Sequence, residues 1–238
     1  MSPTKRALIA ITSAHVDMYG EGKETGLFVT EALHPFNVLR EAGFEVDLAS
    51  ETGTYVPDWL STTEDWLPAE DRKVFEDHTS EFRSKLDNLH KASDLKASDY
   101  GLFFASAGHA SLIDYPTAKS LQAIASEVYT NGGVVSAVCH GGAIFLGIND
   151  KNGRPIIEGK TVTGFTNLGE EQLGHVETIK NWHVPTIEAS AAQLGANYVA
   201  PPGPWDSFTQ TDGRVVTGAN PASAEATAKA ALAVFNTL

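Results

Sequence analysis

Five short apolar runs constrain the fold of this chain more than any other sequence feature. They cover residues 7–11, 44–49, 100–105, 133–138 and 214–217. Runs that are apolar along their whole length are typical of strands buried on both faces, as in parallel sheets flanked by helices. Helical patterns separate the runs. The sequence therefore predicts an α/β fold with a doubly wound, mostly parallel sheet sandwiched by helices.

Three helices are predicted between and after these strands. The first carries apolar residues at helical spacing, with Pro116 suited to its first turn. Those positions are Leu121, Ile124, Ala125 and Val128. The second covers residues 187–194 and is stopped by Gly195. The third, over residues 221–235, is rich in alanine and therefore strongly helical.

Residues 52–99 interrupt the alternation with dense charge and several aromatic side chains. Phe82, Leu86 and Leu89 fall on one helical face. Two interpretations stay open: a helical insertion that caps the sheet as part of a lid, and a surface helix pair packed for stability alone. The chain, residues 1–238, is predicted to form a single domain around this insertion.

Charge and cysteine content narrow the function classes. A formal net charge of −13 over 238 residues argues against binding nucleic acid or an anionic membrane, which require basic patches. One cysteine cannot form an intramolecular disulfide, which favours a reducing compartment. The sequence carries no recognisable secretory leader and no apolar run near the ~18 residues of a membrane span. A soluble, cytoplasmic protein is expected.

The segment around Cys139 is the strongest indication of catalysis. A buried strand ends at Val138, and Cys139, His140 and two glycines precede a helical run that is predicted to begin near Ala143. This order resembles a nucleophile elbow, and a helix N-terminus favours thiolate over thiol. His140 is either the base for the thiol or a donor of its backbone N–H to an oxyanion hole.

Two further segments carry candidate site residues. The loop that ends in Gly108-His109 follows a buried strand directly, and a glycine there lets the backbone N–H approach a developing oxyanion. Glu31 lies in an otherwise apolar stretch that enters a helix. The pattern alone favours a solvated position for Glu31 over a partly buried acid with a raised pKa. His109 and Trp205 are candidate walls of a substrate pocket.

Many ordered motifs together resemble one known group of proteins. They include Thr25-Gly-Leu-Phe-Val-Thr-Glu31-Ala-Leu-His34-Pro35, Phe104-Ala-Ser-Ala-Gly108-His109, Gly132-Gly-Val-Val-Ser-Ala-Val-Cys139-His140-Gly141 and Gly203-Pro-Trp205-Asp206. From these motifs the chain resembles the DJ-1/PfpI superfamily, and within it the fungal Hsp31-like glutathione-independent glyoxalases. The resemblance runs nearly end to end.

The resemblance implies a flavodoxin-like fold of the DJ-1/PfpI type and a specific set of site residues. It implies a Cys139–His140–Glu170 triad, Glu31 as a further acid close to the sulfur, and an oxyanion hole formed by the Gly108 and His140 amides. Glu170 is selected by the resemblance alone. The chain departs from the family pattern twice, with Gly142 in place of a proline and Asn167 where aspartate is frequent. These departures bear on substrate range and rate.

The resemblance also implies an activity and a partner. The activity is conversion of methylglyoxal, a small α-oxoaldehyde, to D-lactate through a cysteine hemithioacetal and an enediolate, which makes the chain a lyase (D-lactate dehydratase, glyoxalase III). A homodimer is usual for such relatives. No cofactor is expected, because no Gly-rich phosphate loop follows the first strand, and no metal is expected, because no Cys/His spacing matches a zinc site.

Four alternative functions remain open at this point, one of which is deglycation of proteins or nucleotides, an activity proposed in the superfamily. A stress-related holdase chaperone would need an exposed apolar patch or a dimer groove. A cysteine oxidation sensor would need an exposed thiol of low pKa. A peptidase or amidase would share the Cys-His arrangement.

Overall fold

A computed structural model of the chain describes residues 3–238. Its strands are β1 (Arg6–Ala10), β2 (Val16–Asp17), β3 (Glu24–Thr25), β4 (Glu45–Ser50), β5 (His90–Lys91), β6 (Leu102–Ala105), β7 (Val134–Val138), β8 (Thr161–Val162), β9 (Asn197–Tyr198), β10 (Thr209–Asp212) and β11 (Val215–Gly218). Its α-helices are α1 (Val29–Glu41), α2 (Ala69–Glu76), α3 (Glu81–Asp87), α4 (Ser111–Asp114), α5 (Lys119–Thr130), α6 (Asn167–Leu173), α7 (Val176–Asn181), α8 (Ile187–Gln193) and α9 (Ala224–Phe235).

The central sheet has seven strands in the order β10-β11-β7-β6-β1-β4-β5. All neighbouring pairs are parallel except β10 with β11. The five apolar runs of the sequence form β1, β4, β6, β7 and β11, which are the five consecutive inner strands. The predicted doubly wound, mostly parallel sheet is confirmed.

Both faces of the sheet are buried, which explains why the strands are apolar throughout. On β1, the side chain of Ile9 packs with residues of α1 and α9, while Leu8 packs on the opposite face with residues of α5 and α8. Successive side chains of a strand point to opposite faces, so a strand covered on both sides has no solvent-facing position. The helices therefore form two outer layers.

The three predicted helices are confirmed as α5, α8 and α9, with differences at their ends. Pro116 lies in a separate 3-10 helix, Tyr115–Thr117, because Ala118 leaves the helical region at ψ 72° before α5 begins. Gly195 follows α8 with φ +71°, a left-handed conformation that suits glycine. The alanine-rich segment begins as a 3-10 turn, Pro221–Ser223, and continues as α9.

Residues 52–99 extend the core on one side of the sheet. Phe82 is buried and packs edge-on against Phe36 of α1 at a centroid distance of 5.4 Å, and Leu86 is buried in the same cluster. Leu89 lies just after α3 and is only partly buried. Trp66, earlier in the segment, packs against Phe28 and reaches the carboxyl edge of the sheet. The segment thus adds to the core with α2 and α3 and lines the site with its first part.

No helix within residues 3–238 is long and apolar enough to cross a membrane.

Candidate active site

Cys139 sits in a sharp turn at the end of β7, an inner strand of the seven-stranded sheet. Its φ is +56°, a left-handed conformation that costs free energy for a residue with a side chain and that persists where the surroundings fix it. A 3-10 helix, Cys139–Gly147, begins at the cysteine itself, so the prediction of a helix starting near Ala143 is wrong. The turn packs closely on β6: a Cβ on Gly141 would lie 2.5 Å from the Ala105 carbonyl oxygen.

His140 and Glu170 continue from the cysteine in a line of contacts. His140 Nδ1 lies 3.3 Å from Cys139 Sγ, and its Nε2 lies 2.6 Å from Glu170 Oε1. Glu170 comes from α6, whose first turn is capped by the Thr166 hydroxyl, which accepts from Gly169 N–H. Because the ionised carboxylate accepts from Nε2–H, Nδ1 is left as an acceptor toward the thiol. The His140 ring therefore faces the sulfur, which adjacency in sequence could not establish.

His109 contacts the same carboxylate from the other side. Its Nε2 lies 3.0 Å from Glu170 Oε2, and its ring centroid is 4.1 Å from that of His140. Burial and the neighbouring His109 lower the pKa of His140 to about 4, so this imidazole is neutral at pH 7. Burial opposes ionisation of Glu170, but His109 and His140 outweigh it and hold the pKa of that carboxyl well below its ordinary value. His109 is thus a hydrogen-bond partner of the Glu170 carboxylate as well as a cavity wall.

Glu31 is fully buried in the first turn of α1, so the solvated position favoured by the sequence pattern is wrong. Its carboxyl lies beside Cys139 and the backbone of Ala107. Burial raises the pKa of Glu31 to about 8. Glu31 is therefore mostly protonated at neutral pH.

The environment of Cys139 favours thiol over thiolate, contrary to the effect expected from a helix N-terminus. Burial raises the pKa of the Cys139 thiol above its ordinary value, and the Glu31 carboxyl adds to the rise. The backbone N–H of His140 opposes the rise but does not cancel it. The sulfur therefore needs a base at hand, and His140 Nδ1 occupies that position.

Gly108 brings its backbone to the same place from the end of β6. Its φ is +147°, and a Cβ there would lie 2.0 Å from the Gly26 carbonyl oxygen. Only glycine fits this approach, because both the conformation and the space exclude a side chain. Gly108 lines the cavity over Cys139 together with His109 and His140.

The cavity over the sulfur is narrow, with a volume of about 20 Å³, or room for about one water molecule. Its other walls are mostly apolar: Tyr19, Phe28, Leu60, Trp66, Phe165, Leu173, Trp205 and Pro221. Trp205 is 37% exposed and stands at the rim, where its Nε1–H donates to Gln172. A larger cavity of about 280 Å³ lies behind Glu170 between α6, α7 and α8, and Cys139 does not line it.

A family model described as the DJ-1/PfpI family matches residues 25–234. The chain belongs to the DJ-1/PfpI family. Glyoxalase 3 of Candida albicans is 54% identical over 231 residues, covering 97% of this chain and 98% of the relative. The glutathione-independent glyoxalase HSP31 of Saccharomyces cerevisiae is 52% identical over 229 residues, covering 96% of each chain. The crystal structure of glyoxalase III from Candida albicans superposes with a TM-score of 0.95 at 52% identity, covering 98% of each chain.

These comparisons confirm the family resemblance and the flavodoxin-like fold. The structure also brings together Cys139, His140, Glu170 and Glu31, the four residues that the resemblance selected as catalytic. It places Gly108, His109 and Trp205 around the cavity beside them.

Both departures from the family pattern pack against the start of α8. A Cβ on Gly142 would lie 3.3 Å from Ile187 Cγ2, so the position is tight but not closed. Asn167 donates its backbone N–H and its Nδ2–H to the two carboxylate oxygens of Glu188, at 2.7 and 3.0 Å. An aspartate at position 167 would lose the second bond and face a like charge, so asparagine suits this neighbour.

Sequence reasoning missed the aromatic walls of the cavity. Tyr19, Phe28 and Phe165 come from three separate loops or helix ends, and nothing in their local pattern distinguishes them from core residues. It also excluded a metal on the basis of spacing. The structure nevertheless gathers His109, His140 and Glu170, with one donor atom each within 4.8 Å of the others.

Proposed function

We propose that this chain is a glutathione-independent glyoxalase that converts methylglyoxal to D-lactate. The observation that carries the proposal is a neutral imidazole 3.3 Å from the only thiol, with a fully buried acid beside the same sulfur. The relatives described above are named glyoxalases, over nearly the whole length of this chain. The substrate class is thus a small α-oxoaldehyde.

The first step is addition of Cys139 to the aldehyde carbon. His140 Nδ1 takes the thiol proton as the S–C bond forms, and the aldehyde π electrons move to its oxygen. The Gly108 and His140 backbone amides are the expected donors to that oxyanion. Glu31, protonated at neutral pH, then gives its proton to the oxygen and becomes a carboxylate. The product is a neutral hemithioacetal.

The second step moves hydrogen from C1 to C2. The Glu31 carboxylate removes the C1 proton to form an enediolate, and a proton passes between the two oxygens through His140. Glu31 then returns its proton to C2, which produces the lactoyl thioester. A carboxyl whose pKa lies near 8 suits both halves of this transfer at neutral pH. Because Glu31 is fixed in α1, it delivers the proton to one face of C2, which gives one enantiomer.

The third step is hydrolysis of the thioester. His140 first passes the proton that it took from the thiol to the Glu31 carboxylate, which restores both groups. The neutral ring then takes a proton from the water molecule that attacks C1 and gives it to the departing Cys139 sulfur. Glu170 accepts from His140 Nε2–H throughout and keeps the ring oriented. Overall one methylglyoxal and one water give lactate and one proton. The covalent bond holds a substrate that has few atoms to bind.

The decisive experiment measures lactate formed from methylglyoxal without added glutathione, with a D-lactate-specific enzyme as readout. We expect Cys139→Ala to abolish the activity while its thermal melt stays close to that of wild type. Glu31→Gln should also lose turnover. Retention of most activity by Cys139→Ala, or exclusive formation of L-lactate by wild type, would contradict the mechanism.

The site lacks the two properties that the oxidation-sensor alternative requires. It requires an exposed thiol of low pKa, whereas Cys139 is 4% exposed and burial raises its pKa. The chaperone and amidase alternatives stay predictions. Suppression of client aggregation by Cys139→Ala tests the first, and cleavage of peptide or amide substrates tests the second.

We propose, on the resemblance, a homodimer located in the cytoplasm. Light scattering coupled to size-exclusion chromatography tests the first property, and cell fractionation tests the second.

A further inference from the structure

Three buried side chains beside Cys139 form a set of metal-ligand atoms. The imidazoles of His109 and His140 and the carboxylate of Glu170 each offer one donor atom, and these atoms lie within 4.8 Å of one another. Two imidazoles and one carboxylate also hold catalytic zinc ions in proteins, with a fourth position left for water. In the proposed reaction the contact between Glu170 and His140 Nε2 serves only to hold the His140 ring in place.

We propose that His109, His140 and Glu170 form a binding site for one divalent transition-metal ion, Zn²⁺ in the first place, and that the bound ion inhibits the enzyme. Imidazole and carboxylate ligands suit Zn²⁺ and its first-row neighbours, whereas Mg²⁺ and Ca²⁺ prefer sites built from oxygen atoms. The metal would act as a reversible inhibitor and not as a cofactor of the reaction.

The ligand atoms need only small movements to take up the ion. Zinc bonds of 2.0–2.2 Å in a tetrahedron separate the ligand atoms by about 3.3 Å. Glu170 Oε1 now lies 2.6 Å from His140 Nε2, and Oε2 lies 3.0 Å from His109 Nε2. Each hydrogen-bonded pair must therefore open by less than about 1 Å. The donor atoms of the two imidazoles lie within 4.8 Å of each other, so the rings must approach by at most about 1.5 Å.

An entry path and a fourth ligand are available. Both imidazoles line the cavity above the sulfur, which has room for about one water molecule. Glu170 lines the larger cavity of about 280 Å³ instead, which gives an ion and water a second approach to the ligand set. His175 stands nearby, with its ring centroid 5.2 Å from that of His109, but its nitrogen atoms lie outside the ligand set. His175 therefore offers a matched control.

Inhibition follows from the position of the proton on His140. An ion bound at Nε2 requires that nitrogen without its hydrogen, so the neutral ring carries the hydrogen on Nδ1 instead. Nδ1 faces Cys139 Sγ at 3.3 Å and then becomes a donor to the sulfur. It can no longer accept the thiol proton in the first step.

Metal binding is measured directly, without substrate, so the binding result is independent of the proposed glyoxalase reaction, whereas the inhibition measured afterwards rests on that reaction. Zn²⁺ is titrated calorimetrically into purified, chelator-treated wild-type protein. X-ray absorption at the zinc edge then identifies the ligands. We expect one ion per chain, bound by two imidazole nitrogens and carboxylate and water oxygens, with no sulfur in the first coordination sphere. Enzyme activity should fall with occupancy and return after EDTA treatment.

Variants then assign the ligands. His109→Gln should weaken Zn²⁺ binding about tenfold or more, since loss of a direct ligand costs at least as much as loss of an outer-sphere partner. His175→Gln and Cys139→Ser should bind Zn²⁺ as the wild type does. Absence of wild-type binding, undiminished binding by His109→Gln, or sulfur in the wild-type spectrum would each overturn the assignment. The wild-type spectrum decides the question even where a variant fails to fold.

Discussion

Replacing Glu31 with glutamine should stabilise the folded protein at neutral and alkaline pH while it disables the site. In the unfolded chain this carboxyl ionises above its ordinary pKa of 4.5, but burial holds the proton in the folded state up to about pH 8. The stabilising contribution of Glu31 to the free energy of unfolding is therefore fully present below about pH 4.5, where the carboxyl is protonated in both states. It is lost progressively as the pH rises through 8.

The size of this loss follows from the two pKa values. A tenfold change in proton affinity corresponds to about 1.4 kcal/mol, so the interval from 4.5 to about 8 corresponds to about 5 kcal/mol, of which about 3 kcal/mol is already lost at pH 7. A glutamine side chain does not ionise in this pH range. The stability of Glu31→Gln relative to wild type should therefore increase by about 5 kcal/mol across this range.

Urea unfolding followed by tryptophan fluorescence at several pH values between 5 and 9 measures this difference. Glu127→Gln, on the exposed face of α5, is the control and should run parallel to wild type. A stability difference between Glu31→Gln and wild type that does not vary with pH would refute the assignment of a buried, protonated Glu31. The same variant should lose turnover, so the stability gain and the activity loss share one cause.

Three further predictions concern the backbone, the pH profile and the rim. Gly108→Ala should destabilise the fold by about 2–4 kcal/mol, because its Cβ would lie 2.0 Å from a backbone carbonyl oxygen, as measured by chemical denaturation. The kcat/KM for methylglyoxal should form a bell between about pH 4, where His140 becomes protonated, and about pH 8, where Glu31 ionises. Trp205→Leu should raise KM for a phenyl-bearing α-oxoaldehyde more than for methylglyoxal, with kcat nearly unchanged, because this side chain stands at the cavity rim.

Each of these predictions has a control or a contradicting outcome. Gly132→Ala, where φ is +91° but a Cβ meets no atom within 4 Å, should cost only about 1–2 kcal/mol. Equal costs at positions 108 and 132 would mean that space is not limiting at Gly108. A fall of kcat/KM on the acidic side that is centred near pH 6.5 would show that the pKa of His140 is not lowered. Equal changes of KM for both aldehydes would show that Trp205 does not contact the larger substrate.

The inner part of the fold could be predicted because burial on both faces leaves a strong signature in the sequence. β1, β6, β7 and β11 are apolar along most of their length, β4 combines apolar residues with Glu45, Asp47 and Ser50, and each of the five overlaps a predicted run. The edge strand β10 was not predicted, because Thr209–Asp212 is polar and is covered less completely. An edge strand is less covered by the helices than an inner strand, so polar side chains are tolerated along it.

The site was less predictable, because its contacts join residues that lie far apart in the chain. Cys139 could be found from the strand and turn around it. The pattern around Glu31 gave the wrong burial, since a helix period does not show that a sulfur atom from another loop lies against that face. Glu170 has the local appearance of any helix-start carboxylate, and only the family resemblance selected it. That His109 shares this carboxylate depends on side-chain orientation, which spacing does not encode.

The chain contains one cysteine, and that cysteine is 4% exposed at the base of a narrow cavity. A thiol-specific reagent therefore modifies a single atom, and only when the aromatic walls above it separate. The rate of alkylation of the unmodified wild-type protein thus reports how often the cavity opens, without an engineered label. Comparing that rate for reagents of increasing size would give the width of the opening that a substrate must pass.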